Sequence, residues 1–448
     1  MKRTSTCGTL RKCDNGKTVI LNGWVHRIRE HGGISFINLR DRYGITQVVV
    51  DADSSADAQT LAKDLRMEFC IAVEGVVRAR PDSMVNKDMT TGEIEVVAKN
   101  ITILSKSEVL PFMIDEVQKD GTPVIPNEDL RLKYRYLDLR TERMQHHLAL
   151  RSKVTLATRN YLSSKGFYEL ETPTFIKSTP EGARDYLVPS RLYPGKFYAL
   201  PQSPQLYKQI LMVSGFDKYF QIARCYRDED ARGDRQPEFT QIDMEMSFVE
   251  RDDVLSLTEG LMGHIFKETM NVDLPAQFQR IAYDDSIELY GTDKPELRFD
   301  MKMQEGAFLA EMGTFQAFKD AVITGAIKAL VVPGVAEAYS RKKIEELEST
   351  AKIYKAKGLA WMKVVGTKEA PVLEGGISKF FEGQDADICQ KLGATVGDLL
   401  LFVADTKRKV ACTALGAVRT RLGKDLNLCD PNKWAFAWIV DFPMFEWN

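Results

Sequence analysis

Between Thr18 and Ser105 the chain consists of short segments in which apolar and polar residues alternate. A period of two places successive side chains on opposite faces of a strand, so each segment predicts a strand with one buried face. Five short strands with one helix, here near Ala56–Met67, are typical of an OB-type barrel, which we predict over residues 1–106. The segments are TVILNGWVHRIR, ISFINLRD, ITQVVVD, FCIAVEGVVRAR and EIEVVAKNITIL.

One part of the predicted barrel combines an aromatic side chain, Phe36 on the second strand, with several arginines. Barrels of this type bind single-stranded nucleic acids on aromatic platforms edged by cations. The alternation also permits the alternative that Phe36 faces the barrel core and the arginines are solvated. The arginines in question are Arg27, Arg29, Arg40, Arg78 and Arg80.

The chain changes character after the barrel. A weakly periodic, proline-containing stretch predicts a hinge over residues 107–140. Apolar residues then recur at helical spacing and Gly166 stands where a C-terminal cap is expected, which predicts a helix from Glu142 to Lys165. The segment FYELETPTF follows, and its Pro173 is suited to an edge strand.

Two strand-like runs, KYFQIARCYRDE and PEFTQIDMEMSF, are separated by a polar loop and predict an antiparallel hairpin. Arg227 and Glu229 share parity on the first run, and Asp243 and Glu245 share parity on the second. A guanidinium beside carboxylates can hold a phosphate, while the acids bind magnesium, ribose or an amine. On pattern alone, an ordinary solvated sheet face explains the same residues.

Composition excludes several classes of protein. The net charge of −2 argues against binding of nucleic acid, and of DNA in particular, by bulk electrostatics. The seven scattered cysteines form no zinc motif and indicate a reducing compartment, and the five histidines form no triad or metal cluster. No apolar run is long enough for a membrane span or a signal peptide, so a cytoplasmic protein without a resident metal is expected.

Several separate segments together resemble the bacterial-type aspartyl-tRNA synthetases. The helix followed by Pro173 is similar to motif 1 of class II synthetases, and RCYRDED…RQPEFTQIDMEM is similar to motif 2. The runs TPEGARDYLVPSR and ALPQSPQLYKQ resemble the segments that the family places around aspartate, and VVPGVAEAYSRKK and KGLAWMKV resemble its inserted GAD domain. The resemblance implies an α+β multidomain chain with an anticodon-binding barrel at 1–106. It further implies a catalytic domain at 141–296, an insertion at 297–429 and a return to the catalytic domain at 430–448.

The family's functional residues transfer to matching positions. Arg227 is the implied catalytic residue and bridges aspartate and the α-phosphate of ATP. Lys208 is implied to meet the side-chain carboxylate of aspartate, which rejects neutral asparagine. The implied aspartate set is Glu181, Ser203, Gln205, Lys208, Arg227 and Asp243; the ATP set is Arg227, Asp228, Glu229 and Gln236; the anticodon set is Arg29, Phe36, Gln47, Arg78 and Glu93.

The implied reaction activates L-aspartate with ATP and Mg²⁺ and transfers it to tRNA-Asp, within a homodimer. The loop REHGG, with His31, resembles members that also charge tRNA-Asn, and the companion position near Ser83 does not decide between strict and relaxed specificity. The alternatives are a related class II ligase for asparagine or lysine, and a non-catalytic tRNA-binding protein.

No segment before Asn448 resembles motif 3, the glycine-rich strand and helix whose arginine binds the γ-phosphate. The resemblance therefore implies a chain truncated before motif 3. Removing several preorganised charges from such a site costs on the order of 10³-fold in rate. We expect the 448-residue chain to be inactive in ATP–pyrophosphate exchange.

Overall fold

The computed structural model describes residues 2–116, 122–179, 181–230, 233 and 235–445. They belong to two units, Met1–Val154 and Thr155–Asn448. Parts of the predicted hinge (117–121), of the TPEG segment (Pro180) and of the hairpin loop (231, 232 and 234) lie outside the described residues.

In the first unit, five strands close into a barrel in the order β1-β2-β3-β5-β4, which confirms the five-stranded prediction. Ile37 and Leu39 of β2 are fully buried, whereas Phe36 is half-buried. Phe36 therefore lies on the outer row of β2, and the alternative that it faces the core is wrong. The elements are β1 (Thr18–His31), β2 (Ile34–Asp41), β3 (Gly44–Val50), α1 (Ala56–Asp64), β4 (Cys70–Ala79) and β5 (Ile94–Ser105).

A two-residue turn joins β1 to β2 and fixes their register. Gly32 and Gly33 have φ of +60° and +80°, and such turns match the right-handed twist of the strands only when both central residues adopt positive φ. The turn places Arg29 directly opposite Phe36. One arginine of the predicted platform is thus the cross-strand neighbour of its aromatic ring.

A polar network connects the barrel to the segment after it. Arg40 donates two hydrogen bonds to Glu68, at 2.7 and 3.0 Å, and Arg140 donates a third at 2.7 Å. His26 contacts Arg40 through Nδ1 and Asp115 through Nε2, both at 2.9 Å. Arg40 can only donate, so Nδ1 accepts and Nε2 carries the proton that it donates to Asp115.

Asp115 makes this connection dependent on pH. The hydrogen bond from His26, supported by Arg27, lowers the pKa of Asp115 to about 2. A depressed carboxyl pKa stabilises the fold above the unfolded value near 4, and this contribution is lost as the pH falls towards 2. We expect about 2 kcal/mol of unfolding free energy to disappear over that range. Urea unfolding between pH 5 and pH 3 should show a shallower acid slope for Asp115→Asn, and an unchanged slope would contradict this.

The predicted hinge contains a small apolar core of its own. Phe112, Ile114 and Leu137 are buried together. Two short helices, α2 (Glu128–Lys133) and α3 (Arg135–Asp138), precede the long α4 (Glu142–Ser164). The predicted helix is confirmed to within one residue at its end, and Gly166 has φ +81° as a cap requires.

In the second unit, the predicted hairpin forms between β9 (Lys218–Tyr226) and β10 (Glu238–Met246), with β6 (Tyr168–Glu169) on the other side of β9. Pro173 lies beyond β6, outside any strand. The other elements before residue 291 are β7 (Leu187–Pro189), β8 (Phe197–Ala199), α5 (Gln205–Val213), α6 (Arg251–Met270), β11 (Gln279–Ala282) and α7 (Tyr283–Tyr290).

The region predicted as an insertion has its own five-stranded sheet, in the order β12-β13-β16-β14-β15. After it, β17 (Ala437–Val440) pairs in parallel with β11, so the chain returns to the strand that precedes the insertion. The elements are β12 (Gln304–Glu305), α8 (Leu309–Met312), α9 (Gln316–Thr324), β13 (Ala326–Val332), α10 (Arg341–Ile353), β14 (Ala360–Gly366), β15 (Pro371–Glu374), α11 (Asp385–Leu392), β16 (Leu399–Asp405) and α12 (Arg408–Asp425).

Within this region Arg419 of α12 is 1% exposed, and its hydrogen-bond acceptors in the described part of the chain are backbone oxygens. Its guanidinium donates to the backbone oxygens of Glu296, Phe299 and Met301. It also lies 4.2 Å from the ring centre of Phe299 and 4.9 Å from that of Tyr290. One cation thus fixes the loop over residues 296–301 against α12.

Candidate active site and nucleic-acid interface

The hairpin presents one row of side chains, because paired residues of antiparallel strands project to the same face. Asp243 stands opposite Gln221, and Phe239 opposite Cys225. Arg227 follows β9 directly, and its guanidinium lies 5.1 Å from the ring centre of Phe239. The stacked ring holds this cation in place while leaving its N–H groups available.

A cavity of about 290 Å³ opens beside Arg227. Glu229 and Gln236, both assigned to ATP from the sequence, line this cavity, and both are exposed. Asp228 is instead directed to Arg184, at 3.4 Å. The remaining lining residues are Asp230, Arg235, Pro237 and Phe239.

Lys208 projects from α5 and is 9% exposed. Its Nζ lies 2.8 Å from Asp243 Oδ1 and 2.7 Å from Glu245 Oε1. Burial disfavours the ammonium, but the hydrogen bonds to Asp243 and Glu245 outweigh it and raise the pKa of Lys208. The lysine is therefore a fixed, buried positive charge on the hairpin.

The TPEG segment is held by residues that follow it in sequence. Glu181 accepts hydrogen bonds from Ser203 Oγ at 2.8 Å and from Thr179 Oγ1 at 3.2 Å. Gln202 is 2% exposed, and its amide bonds both the N–H and the C=O of Ala183. Sequence reasoning missed Gln202, whose role depends on contacts between distant segments.

Two buried polar atoms on the hairpin face lack a hydrogen-bond partner among the described residues: Arg227 Nε and Asp243 Oδ2. A buried donor or acceptor without a partner is costly, so such atoms commonly mark where a ligand binds. An anion satisfies the first and an ammonium satisfies the second. An amino acid activated on a phosphate supplies both.

The sequence placed Arg227 and Lys208 in one pocket. Lys208 is not among the residues that line the cavity beside Arg227. The charges of both cations lower the pKa of the Cys225 thiol, against the larger effect of burial. Of the other predicted aspartate-binding residues, Ser203 bonds Glu181 and Asp243 bonds Lys208. Gln205 is exposed at the start of α5.

On the barrel, the predicted anticodon residues form a second group. Gln47 Nε2 donates to Glu95 at 3.2 Å, and Arg78 Nε donates to the same carboxylate at 2.9 Å. Glu93 is exposed and precedes β5, so the carboxylate that meets these two side chains is Glu95, which sequence reasoning missed. Glu93 and Glu95 both have odd numbers, so alternation alone assigns them to the same face. They differ in that Glu95 lies within β5 and Glu93 precedes it.

The other arginines of the predicted platform differ in whether a carboxylate holds them. Arg27 is paired with Asp115 and Arg40 with Glu68, so these two are engaged away from Phe36. Arg29 is exposed opposite Phe36, and Arg80 is buried 3.7 Å from Glu95. The specificity positions, His31 at the end of β1 and Ser83 in a short turn, are both exposed.

Two known protein families match parts of the chain. Residues 19–104 match the OB-fold nucleic acid binding domain, and residues 127–447 match the tRNA synthetases class II (D, K and N). The chain is 72% identical to the aspartate–tRNA(Asp/Asn) ligase of Treponema denticola, over 100% of this chain and 75% of that protein. It is 50% identical to the aspartate–tRNA ligase of Macrococcus caseolyticus, over 100% of this chain and 74% of the relative.

Solved structures show the same fold. The asparaginyl-tRNA synthetase of Pyrococcus horikoshii in complex with asparaginyl-adenylate aligns with a TM-score of 0.55 and 18% identity, over 94% of this chain and 97% of that one. A putative aspartyl-tRNA synthetase of Leishmania major aligns with a TM-score of 0.52 and 18% identity, over 97% of both chains. Together with the family match over residues 127–447, these findings establish that the chain belongs to the class II tRNA synthetases of the D, K and N group.

Proposed function

We propose that this protein is an aspartate–tRNA ligase, which activates L-aspartate with ATP and transfers it to tRNA. The observation that carries the proposal is the buried ammonium of Lys208 on the motif 2 hairpin. Asp243 and Glu245 take two of its three N–H donors, and the third is proposed to bind the side-chain carboxylate of aspartate more strongly than the neutral amide of asparagine. The names of the relatives that share 50–72% of the sequence support the same substrate.

In the proposed activation step, an oxygen of the aspartate α-carboxylate attacks the α-phosphorus of ATP and pyrophosphate leaves. Arg227 binds the α-phosphate and neutralises charge in the transition state, with Phe239 holding the guanidinium in place. Asp243 Oδ2 and Glu181 bind the α-ammonium. A hydroxyl of the terminal tRNA adenosine then attacks the acyl carbon and releases AMP, so positioning and charge suffice for both steps.

Mg²⁺ is proposed to enter with ATP. Mg²⁺ usually keeps several waters and binds to one or two carboxylates together with substrate phosphates. Glu229 in the Arg227 cavity fits that pattern, because it is exposed and lies beside the guanidinium. When bound, the ion supplies charge neutralisation on the phosphates.

The barrel is proposed to bind the anticodon loop of tRNA. Phe36 stacks on a base, while Arg29, Gln47, Arg78 and the Glu93 or Glu95 carboxylate supply polar contacts. We further propose relaxed specificity, with both tRNA-Asp and tRNA-Asn as substrates and His31 and Ser83 near the discriminating base. The Treponema relatives, 55% and 72% identical, carry names that include both tRNAs.

Replacing Phe36 with alanine is expected to weaken tRNA binding roughly 10- to 100-fold, because stacking of one base contributes about 1–3 kcal/mol. Filter binding with tRNA-Asp measures the loss. Tyr43→Ala is the matched control, since Tyr43 is an exposed aromatic beyond the other end of β2. Equal losses for the two variants would contradict stacking on Phe36.

The function itself is tested by aminoacylation with the purified protein. Radiolabelled aspartate is offered with purified tRNA-Asp or tRNA-Asn, and charging of both is expected. Charging of tRNA-Asp alone would establish strict specificity, and charging with asparagine or lysine would overturn the substrate assignment. Calorimetry with L-aspartate and L-asparagine on the 448-residue chain tests recognition separately from turnover.

We also propose a cytoplasmic homodimer, consistent with the family resemblance of α4 to motif 1. Leu156 on α4 and Phe175 after β6 are large apolar side chains that are each 59% exposed, as residues covered by a partner subunit would be in a single chain. Among the described residues, no helix has the length and apolar character needed to cross a membrane. Sedimentation velocity measures the oligomeric state.

A further inference from the structure

The hairpin carries a buried thiol that the proposed reaction does not use. Cys225 of β9 is fully buried, and its Sγ lies 3.2 Å from Oε1 of Gln241 on β10. A backbone oxygen, that of Ala223, is farther away at 3.9 Å. The thiol therefore has one near acceptor, and that acceptor belongs to a side chain in the row of Phe239 and Asp243.

The chemistry of this contact decides which way the Gln241 amide points. Burial, reinforced by the charge of Asp243, raises the pKa of Cys225 to about 11, so the thiol keeps its proton and can donate. A planar amide that receives a hydrogen bond on its oxygen turns its NH₂ group away from the donor.

We propose that Cys225 is a positioning residue for aspartate: its thiol donates to Gln241 Oε1 and thereby presents Gln241 Nε2 to an oxygen of the bound amino acid. Gln241 stands between Phe239, which supports Arg227, and Asp243, which bonds Lys208. In the register of β10, Gln241 therefore stands between the residues that contact the cation assigned to the phosphate and the cation assigned to the side chain. The proposed acceptor is the α-carboxylate oxygen of aspartate, or the carbonyl oxygen of the adenylate, because this group joins the aspartate side chain to the phosphate. The inference rests on the proposed function for its ligand.

The test measures binding of L-aspartate and of the sulfamoyl analogue of aspartyl-adenylate by calorimetry on the 448-residue chain. Cys225→Val removes the donor and adds the volume of about one methyl group, and it is expected to weaken binding roughly 3- to 10-fold. Cys225→Ser keeps a donor and should remain within about twofold of wild type. Gln241→Met should lose about as much as Cys225→Val, and the double variant should lose no more than Gln241→Met alone.

Matched measurements separate positioning from packing. Cys389→Val alters another buried thiol, in the inserted region, and should leave aspartate affinity unchanged. A Cys225→Val loss that persists in full in the Gln241→Met background would overturn the proposal, as would a Cys225→Ser variant as impaired as Cys225→Val.

The contact is also tested without ligand, by thermal unfolding of wild type, Cys225→Val, Gln241→Met and the double variant. The destabilisation from Cys225→Val should shrink in the Gln241→Met background, and full additivity would refute the contact. If wild type bound neither ligand, the proposed function would fail, and this cycle would still decide whether the thiol orients the amide.

Discussion

Replacing Lys208 with methionine is expected to weaken binding of L-aspartate by at least 100-fold and to remove the preference for aspartate over asparagine. The substitution keeps an unbranched apolar side chain, one atom shorter, but leaves Asp243 and Glu245 without their shared cation. Removing one partner of a buried ion pair costs about 3–5 kcal/mol, so the variant should also unfold more readily. Calorimetry gives the affinities and denaturant unfolding gives the stability.

Two further variants separate the two effects. Lys208→Met combined with Asp243→Asn removes one of the two uncompensated charges and should recover part of the stability without recovering affinity. Lys328→Met removes a lysine that is also buried, at 3% exposure, and bonds Glu288 at 2.9 Å in the second unit. It should lose stability while aspartate affinity stays at the wild-type value. Wild-type aspartate affinity in the Lys208→Met protein would contradict the assignment of aspartate as the substrate.

Arg419→Ala is expected to destabilise the inserted region by about 3–5 kcal/mol. The change leaves three backbone oxygens without their donor and removes a side chain packed between two aromatic rings. Hydrogen exchange should show opening of residues 296–301 and of α12 well before the hairpin is affected. Arg421→Ala, on the same helix, removes only an exposed pair with Asp425 and should cost less than about 1 kcal/mol. Equal effects of the two would contradict the role of Arg419.

Much of the architecture could be predicted because its signals are local. Alternation located the strands of the barrel and both strands of the hairpin, and a glycine after an apolar stripe located the end of α4. The face of Phe36 could not be predicted, since both rows of ISFINLRD contain apolar residues. Burial of Ile37 and Leu39 decides it in the structure, because a barrel has one interior.

The sequence singled out the two cations of the candidate site, but the residues that hold them in place carry no local signal. Arg227 and Lys208 belong to recognisable segments, but the pairing of Lys208 with Glu245 joins a helix to a strand across an intervening loop. Gln202, Cys225 and Gln241 are likewise defined by contacts between elements and carry no local signal. Arg419 shows the same limit, because an arginine in RTRLGKD reads as solvated until the rings around it are in place.

The parallel pairing of β11 with β17 has a consequence for synthesis on the ribosome. β11 emerges from the ribosome long before β17, and most of the residues between them belong to the region predicted as an insertion. Closing a long loop costs entropy, and a segment that has already collapsed into a compact body brings its ends together at less cost. We therefore expect the region between the two strands to fold first during synthesis, and β11 to pair with β17 only afterwards.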